Sequence, residues 1–378
     1  MVKILITGDF APWNRVETLL KCERYDDIFS EVLSFTSESD YSIVNLEAPV
    51  VKDACSMPIE KCGPSLKCSL NAIKAIKYAG FNMATLANNH FYDYGDTGVR
   101  DTLTACTNEG VDVVGGGLNA SEASKTFIKE INGVKFAFIN CCENEFSIAT
   151  DQTAGSNPIN PVRQFNAISE AKAVSDKIIV IVHGGPEGYR YPTPRMKELY
   201  RFYIDSGADA VINHHQHCYS GYEVYKEKPI FYGLGNFCFD DNEPNRRDWN
   251  DGYMVQLIFN GSSVEYELLP YIQAFENPGV EFISGDDVAL FHETIKDINE
   301  IISDDYKLEQ KHTEFCEKCD DMYLITLEPY YNKYFRYARY RKLIPSLLSR
   351  KRALQILNYI MCESHRERFM HSINKKFL

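Results

Sequence analysis

Short runs of β-branched and aliphatic residues alternate with helical patterns through the first two hundred or so positions, the arrangement of parallel strands joined by crossover helices. Residues 3–7, 42–46, 83–86, 111–114, 136–140, 178–182 and 210–212 read as strands. Between them, 71–79 and 97–109 carry apolar residues at helical spacing, and each is followed by a glycine (Gly80, Gly110) suited to the left-handed turn that ends a helix. After His217 the pattern changes to strands without long helices, at 221–225, 229–232, 253–259 and 264–269. Turns at 226–228 and 260–262 space them for antiparallel pairing. From Gly285 the chain is helical and polar, and from Tyr330 it is basic and aromatic. This predicts an α/β body over residues 1–275, a boundary at Glu276-Asn277-Pro278-Gly279, and a helical C-terminal region over 285–378. There is no internal repeat and no low-complexity segment.

Composition narrows the class. With 378 residues, 44% apolar and 25% charged, the chain is of ordinary globular make-up, which excludes a fibrous or largely disordered protein. The opening MVKILITGDFAP has too few apolar residues for a signal-peptide core, and no stretch approaches the roughly 18 apolar residues of a membrane span, so a cytoplasmic location is expected. The 12 cysteines are accordingly expected to be reduced thiols, and Cys316-x-x-Cys319 lacks the second pair that a metal or redox motif needs.

A net charge of −13 disfavours nucleic acid as a partner, but the charge is unevenly placed. From Tyr330 there are 12 Lys plus Arg against 2 acidic residues, or +10, which leaves 28 against 51, or −23, for the rest. Such asymmetry gives the tail a separate job or docks it on the body. Segment 330–342 mixes aromatics with cations. The preferred reading is an amphipathic helix that packs its aromatics on the body; the other is peripheral contact with a membrane surface, an acidic polymer or RNA.

The informative feature is where polar residues fall. Asp9 ends the run KILIT-G, Glu47 follows SIVNL, Asn89 and His90 follow MATLA, His183 follows IIVIV, and His215 and His217 follow DAVIN. In open α/β sheets ligands collect at the carboxyl ends of strands. One polar residue after a strand is usually a turn former or cap, but five strand ends in register argue for a site. Carboxylate, amide oxygen and imidazole together suit a divalent cation such as Mn, Zn, Fe or Mg. His215 and His217, two apart, face one side of an extended segment and can share one metal or split between two.

These elements, in this order, resemble the motif series of calcineurin-like metallophosphoesterases, and the finer detail resembles the CapA-like family associated with poly-γ-glutamate and capsule synthesis. The residues concerned are NLEAPV (45–50), GPSLK (63–67), LANNHFYDYG (86–95), GVDVVGGG (110–117), INGVKFAFI (131–139), HGGPEGY (183–189) and GADAVINHHQHCYSGYEVYKEKPIFYGLGNF (207–237). The resemblance implies a layered αββα sandwich over about residues 1–270, ahead of the C-terminal helical appendage. It implies Glu47 as a carboxylate bridging two metal positions, with Asn89, His183 and His215 at one and Asp9 and His217 at the other. It makes His90 the general acid or electrophilic partner, with Asp93 orienting its ring. The imidazole that metallophosphoesterases carry two residues after the first Asp is replaced by Ala11, so one metal position is expected to be weakly held. The segment around Glu187 and Asn213 also departs from the family pattern.

Lys67, Arg195, Glu187 and Asn236 complete the expected site as substrate contacts, the two cations because ammonium and guanidinium groups recognise phosphate or carboxylate. Asn236 is read either as a turn former in GLGNF or as site lining. The resemblance implies a hydrolase whose default substrate is a phosphoester. The alternative is a non-hydrolytic assembly factor for poly-γ-glutamate or a capsular polysaccharide, since fold does not fix function. Either way, the implied partners are an anionic small molecule or polymer and polymer-synthesis machinery.

Overall fold

Along the first strand, Val2, Ile4 and Ile6 enter one apolar core while Leu5 and Phe10 enter another, the two-residue period of an extended chain buried on both faces. The strand, β1 (Val2–Phe10), lies inside a seven-stranded sheet of the computed structural model, which describes residues 1–53, 55–241, 246–330 and 332–377. The others follow as β2 (Tyr41–Leu46), β3 (Met83–Thr85), β4 (Asp112–Val114), β5 (Gly116–Gly117), β6 (Phe127–Ile131), β7 (Val134–Cys142), β8 (Gly155–Ser156) and β9 (Lys177–His183). Then come β10 (Ala210–His214), β11 (Tyr222–Tyr225), β12 (Lys228–Phe231), β13 (Asp251–Asn260), β14 (Ser263–Gln273) and β15 (Val280–Phe282).

The first sheet, in the order β15-β14-β13-β1-β2-β3-β4, joins four parallel strands to an antiparallel set. The second, β11-β12-β10-β9-β7-β6, is parallel at its centre and antiparallel at both edges. They pack face to face through pairs such as Phe136 with Phe259 (ring centroids 5.0 Å apart) and Tyr41 with Phe138 (5.7 Å).

Helices cover the outer faces. Asn14–Lys21, Leu70–Tyr78 and Gly95–Glu109 share a core with Leu5, Val44 and Ala84 of the first sheet. Pro161–Ala171 and Pro194–Ser206 bury Ile168, Met196, Tyr200 and Tyr203 with the second. Both of these helices open on a proline behind a capping side chain, Asn160 or Thr193. The result is the expected layered sandwich, and each expected strand is present.

The chain divides into two compact units, Met1–Glu309 and Gln310–Leu378. The first continues beyond residues 276–279 into the helix Asp286–Ser303, whose Phe291, Ile295, Ile298 and Ile302 are buried in the inter-sheet core. The second contains the helices Lys333–Tyr340, Arg350–Met361 and Glu363–Phe377. There, Phe335, Tyr337 and Tyr340 are each more than half exposed, so the burial expected for these rings is not found. Tyr331, in the same aromatic and basic segment, lies outside the described residues. Among the described residues no helix is long and apolar enough to cross a membrane.

Candidate metal centre

The two sheets end at one place. The carboxyl ends of β1 and β2 supply Asp9 and Glu47 from one layer, β9 and β10 supply His183 and the His215–His217 segment from the other, and Asn89 enters after β3. Asn45 donates to Asp9 Oδ1 at 2.7 Å, and the His215 N–H donates to Asp9 Oδ2 at 3.0 Å.

Gly8 makes room for this. A Cβ there would lie 1.9 Å from the Gly235 carbonyl oxygen, so only glycine lets β1 close on the 233–237 segment. That contact is tied by Asp9 N–H to Gly235 O (3.2 Å) and Phe237 N–H to Asp9 O (2.7 Å).

His215 and His217 reach the site by a route that differs from the extended alternation expected. Both have left-handed backbone, φ 93° and 57°, a conformation costing about 1–3 kcal/mol that persists only where surroundings impose it. Between them Gln216 donates to the Tyr189 carbonyl at 2.7 Å, which anchors the turn.

His183 Nε2 lies 3.0 Å from Asn89 Oδ1, 3.0 Å from His215 Nδ1 and 3.4 Å from Glu47 Oε1. His217 places Nε2 3.7 Å from Glu47 Oε1 and Nδ1 3.6 Å from Asp9 Oδ2. The donor atoms of Glu47, His183 and His215 fall within 4.8 Å of one another, as do those of Asp9, Glu47 and His217. Glu47 belongs to both groups.

The electrostatics fit a cation. Glu47 is fully buried and neither of its carboxylate oxygens has a hydrogen-bond partner. Burial pushes its pKa up, and burial together with the charge of Glu47 raises that of Asp9. Burial holds His183 down at about 3 and His215 well below the usual imidazole value, so both keep lone pairs to give. At His217 burial opposes charge, but Glu47 and Asp9 outweigh it and the pKa rises. Among the described residues Asp9 and Glu47 have only histidines as ion-pair partners. Buried carboxylates beside neutral imidazoles and an amide oxygen form a donor set that suits a divalent ion.

Beside this cluster, His90 Nδ1 lies 2.7 Å from Asp93 Oδ2. The carboxylate thereby selects the tautomer with the proton on Nδ1 and fixes the ring. Asp93 also accepts the Leu66 N–H at 2.7 Å and pairs with Lys61, whose side chain is only 4% exposed and whose ammonium lies 3.3 Å from His90 Nδ1. These groups open on a pocket of about 350 Å³, walled by Trp13, Phe239 and Trp249 and by Glu145, Glu187, Asp240 and Asp241. Lys61 is the one Lys or Arg among its described lining residues. Both tryptophans of the chain are on this wall.

The expected substrate contacts scatter. Glu187 is exposed on the pocket wall, its carboxylate grouped with His215 and His217. Asn236 is fully buried behind His217: its Oδ1 accepts from Nδ1 at 2.9 Å, and its amide donates to the carbonyls of His217 and Trp249. It holds the His217 ring and does not line the pocket. Lys67 and Arg195 do not line the pocket; Lys67 lies 5.3 Å from the Tyr94 ring centroid, and Arg195 is exposed and paired with Glu143. His214 is turned away, its Nε2 2.8 Å from the Thr7 carbonyl. Lys61 and the two tryptophans escaped the sequence reading, since a lone residue in an irregular segment has no period to mark it.

The family described as "Bacterial capsule synthesis protein PGA_cap" matches residues 3–241. The "Capsule biosynthesis protein CapA" of Bacillus anthracis is 33% identical over 250 residues, covering 64% of this chain and 61% of that protein. The "PGA biosynthesis protein CapA" of Bacillus subtilis is 34% identical over 245 residues, covering 64% of each. The chain thus spans just over three fifths of the length of these relatives. Among solved structures, a 5′-nucleotidase precursor from Thermus thermophilus aligns with a TM-score of 0.45 at 12% identity, over 80% of this chain and 59% of that one. A putative 5′-nucleotidase from Staphylococcus aureus aligns at 0.44 and 15%, over 78% and 58%.

Proposed function

We propose, on the premise that this chain belongs to the bacterial capsule synthesis family PGA_cap, that it is a metal-dependent phosphoester hydrolase serving the synthesis of a capsule or poly-γ-glutamate polymer. The observation that carries the reading is Glu47, buried with both oxygens unpartnered where Asp9, His183, His215 and His217 converge. These five residues and Asn89 would hold one or two ions of Mn, Zn, Fe or Mg. When bound, such a cation supplies Lewis acidity to the site. Asp9 is aligned by Asn45 and the His215 amide, and His217 by Asn236, so the donors are positioned before any ligand arrives.

His90 has Nδ1 committed to Asp93, which leaves Nε2 as the atom that holds a proton and gives it to a leaving oxygen. Lys61 fixes Asp93 from the far side and brings the one ammonium among the described lining residues close to an anionic group. Trp13, Phe239 and Trp249 narrow access for water.

The second reading, a non-hydrolytic factor that binds a polyanion through its metal, needs a basic groove. Among the described lining residues Lys61 is the one cation, and of the four carboxylates Asp240 and Asp241 are already paired with Arg15 and Arg246, so the wall offers no basic groove for a polyanion. A panel of phosphomonoesters and phosphodiesters with added Mn, run on wild type and His90→Ala at equal metal content, tests the choice. Turnover lost in the variant supports hydrolysis. Metal binding with no turnover of any panel member, alongside polymer binding that survives His90→Ala, would move the assignment to the binding factor.

A further inference from the structure

The second unit presents an unusual surface. Of 29 large apolar side chains exposed among the described residues, 16 lie in residues 310–378, under a fifth of the chain. The 13 of them from Tyr330 onward are interleaved with charge of one sign, 12 Lys plus Arg against 2 acidic residues. On the helix Lys333–Tyr340, Tyr334, Phe335, Tyr337 and Tyr340 are 72%, 56%, 58% and 59% exposed. On Arg350–Met361, Leu354, Leu357 and Met361 recur at intervals of three and four, which places them on one face, and all three are exposed. On Glu363–Phe377, Phe369 and Ile373 repeat the spacing.

The exposure is not that of a loose tail. Glu328 is buried and accepts from Arg339 Nε (3.0 Å), Ser346 Oγ (2.8 Å) and the Leu347 N–H (2.7 Å), so polar bonds hold segment 328–347 together while its rings point outward.

From this we infer that residues 310–378 form a peripheral docking surface for an anionic lipid bilayer. Lys and Arg answer the anionic headgroups, aromatic rings suit the headgroup level, and leucine, isoleucine and methionine enter the acyl boundary. A soluble acidic polymer would satisfy the cations but leave the apolar side chains in water, so charge and apolar exposure together favour the bilayer. The helix Arg350–Met361, with 12 residues, is about 18 Å long against a hydrocarbon core of about 30 Å. It can lie on a membrane and cannot cross one. Residues 310–378 fall outside the family match at 3–241, so the surface belongs to this chain's own C-terminal region.

The test is co-sedimentation of the full chain with vesicles of phosphatidylcholine alone and of phosphatidylcholine mixed with phosphatidylglycerol. The chain should bind the mixed vesicles, ignore the neutral ones, and lose about tenfold or more in affinity as salt is raised. The triple variants Leu354→Ser/Leu357→Ser/Met361→Ser and Arg350→Gln/Lys351→Gln/Arg352→Gln should each weaken binding by about tenfold or more. Helical circular dichroism and metal content monitor folding, and the glutamine variant tests the charge with the apolar residues untouched. No binding to mixed vesicles at low salt, or full binding by the folded glutamine variant, overturns the proposal. Binding to soluble polyglutamate that the serine variant retains would assign the surface to an acidic polymer instead.

Discussion

A carboxylate as deeply buried as Glu47, with neither oxygen bonded, is expensive to hold in its charged form without a cation. Asp9 and Glu47 both have folded pKa values above the ordinary 3.8 and 4.5. For an acid so raised, the stabilising contribution is complete below the ordinary value and is lost as pH climbs through the raised one. In the metal-free protein this carboxylate contribution is lost from mildly acid toward neutral pH, against His183 and His215, whose lowered values add stability as pH rises through the ordinary imidazole range. Metal should restore the lost contribution and release protons as it binds. Glu47→Gln should flatten that dependence, stabilise the metal-free protein at neutral pH by about 1–3 kcal/mol, and abolish the gain from Mn. Melting curves with Mn or chelator across pH check this, and a wild-type melting temperature indifferent to both would refute it.

Lys61→Met should lower turnover by about 10–100-fold with metal content unchanged, because it disturbs what holds His90 and touches no metal donor. Loss of metal in that variant would make Lys61 a structural residue. Ala11, buried just past β1, stands where the resemblance to metallophosphoesterases implies an imidazole. Ala11→His should raise the metal retained after dialysis, and two equivalents held by the unmodified protein would contradict the premise.

At the scale of elements, the closest approach in the site is between β1 and the 233–237 segment. Pairing of β1 with β2 shifts register between Ile6 and Asp9, and Gly8 lies in that irregularity. A methyl group at Gly8 meets backbone, which no rotamer change relieves. Gly8→Ala should cost about 1–3 kcal/mol or more and reduce metal content together with melting temperature, because the same displacement moves Asp9 and Asn236. A Gly8→Ala protein with full metal content would show that the site tolerates the separation.

The strands were legible because apolar runs of four to seven residues are hard to bury in any other way, and the candidate site was legible because five of the runs are followed by a polar residue of ligand type. What remained hidden depended on contacts far apart in sequence. Nothing near Arg195 announces Glu143, 52 residues away, and nothing in GLGNF tells that Asn236 is spent on His217. The helices Pro161–Ala171 and Pro194–Ser206 were readable from Asn160-Pro161 and Thr193-Pro194, a cap followed by proline at the first turn, but were passed over. The left-handed His215 and His217 had only a weak local signal, since histidine is enriched at positive φ but such positions are uncommon for any residue that carries a side chain.

For the whole molecule, the question is where the first unit stops. The helix Asp286–Ser303 contributes Phe291, Ile295, Ile298 and Ile302, all at most 5% exposed. Its Asn299 accepts the Tyr222 N–H at 2.7 Å, while Lys197, itself 4% exposed, reaches Asp305 at 2.6 Å. Burying four such side chains is worth about 1.5–3 kcal/mol each, or roughly 6–12 kcal/mol as an upper estimate. That is comparable with the roughly 5–15 kcal/mol that separates folded from unfolded domains. A chain ending at residue 275 should therefore aggregate or melt well below the full protein. One ending at Glu309 should fold, keep the metal donors and the pocket, and bind metal as the full chain does. Thermal melts and metal analysis of the two truncations decide the matter. If the 275-residue form proves stable and metal-competent, the helix Asp286–Ser303 is an accessory and its buried stripe adds little. If the 309-residue form loses its metal, the second unit contributes to the integrity of the site, and the proposed lipid-docking role cannot be its only one.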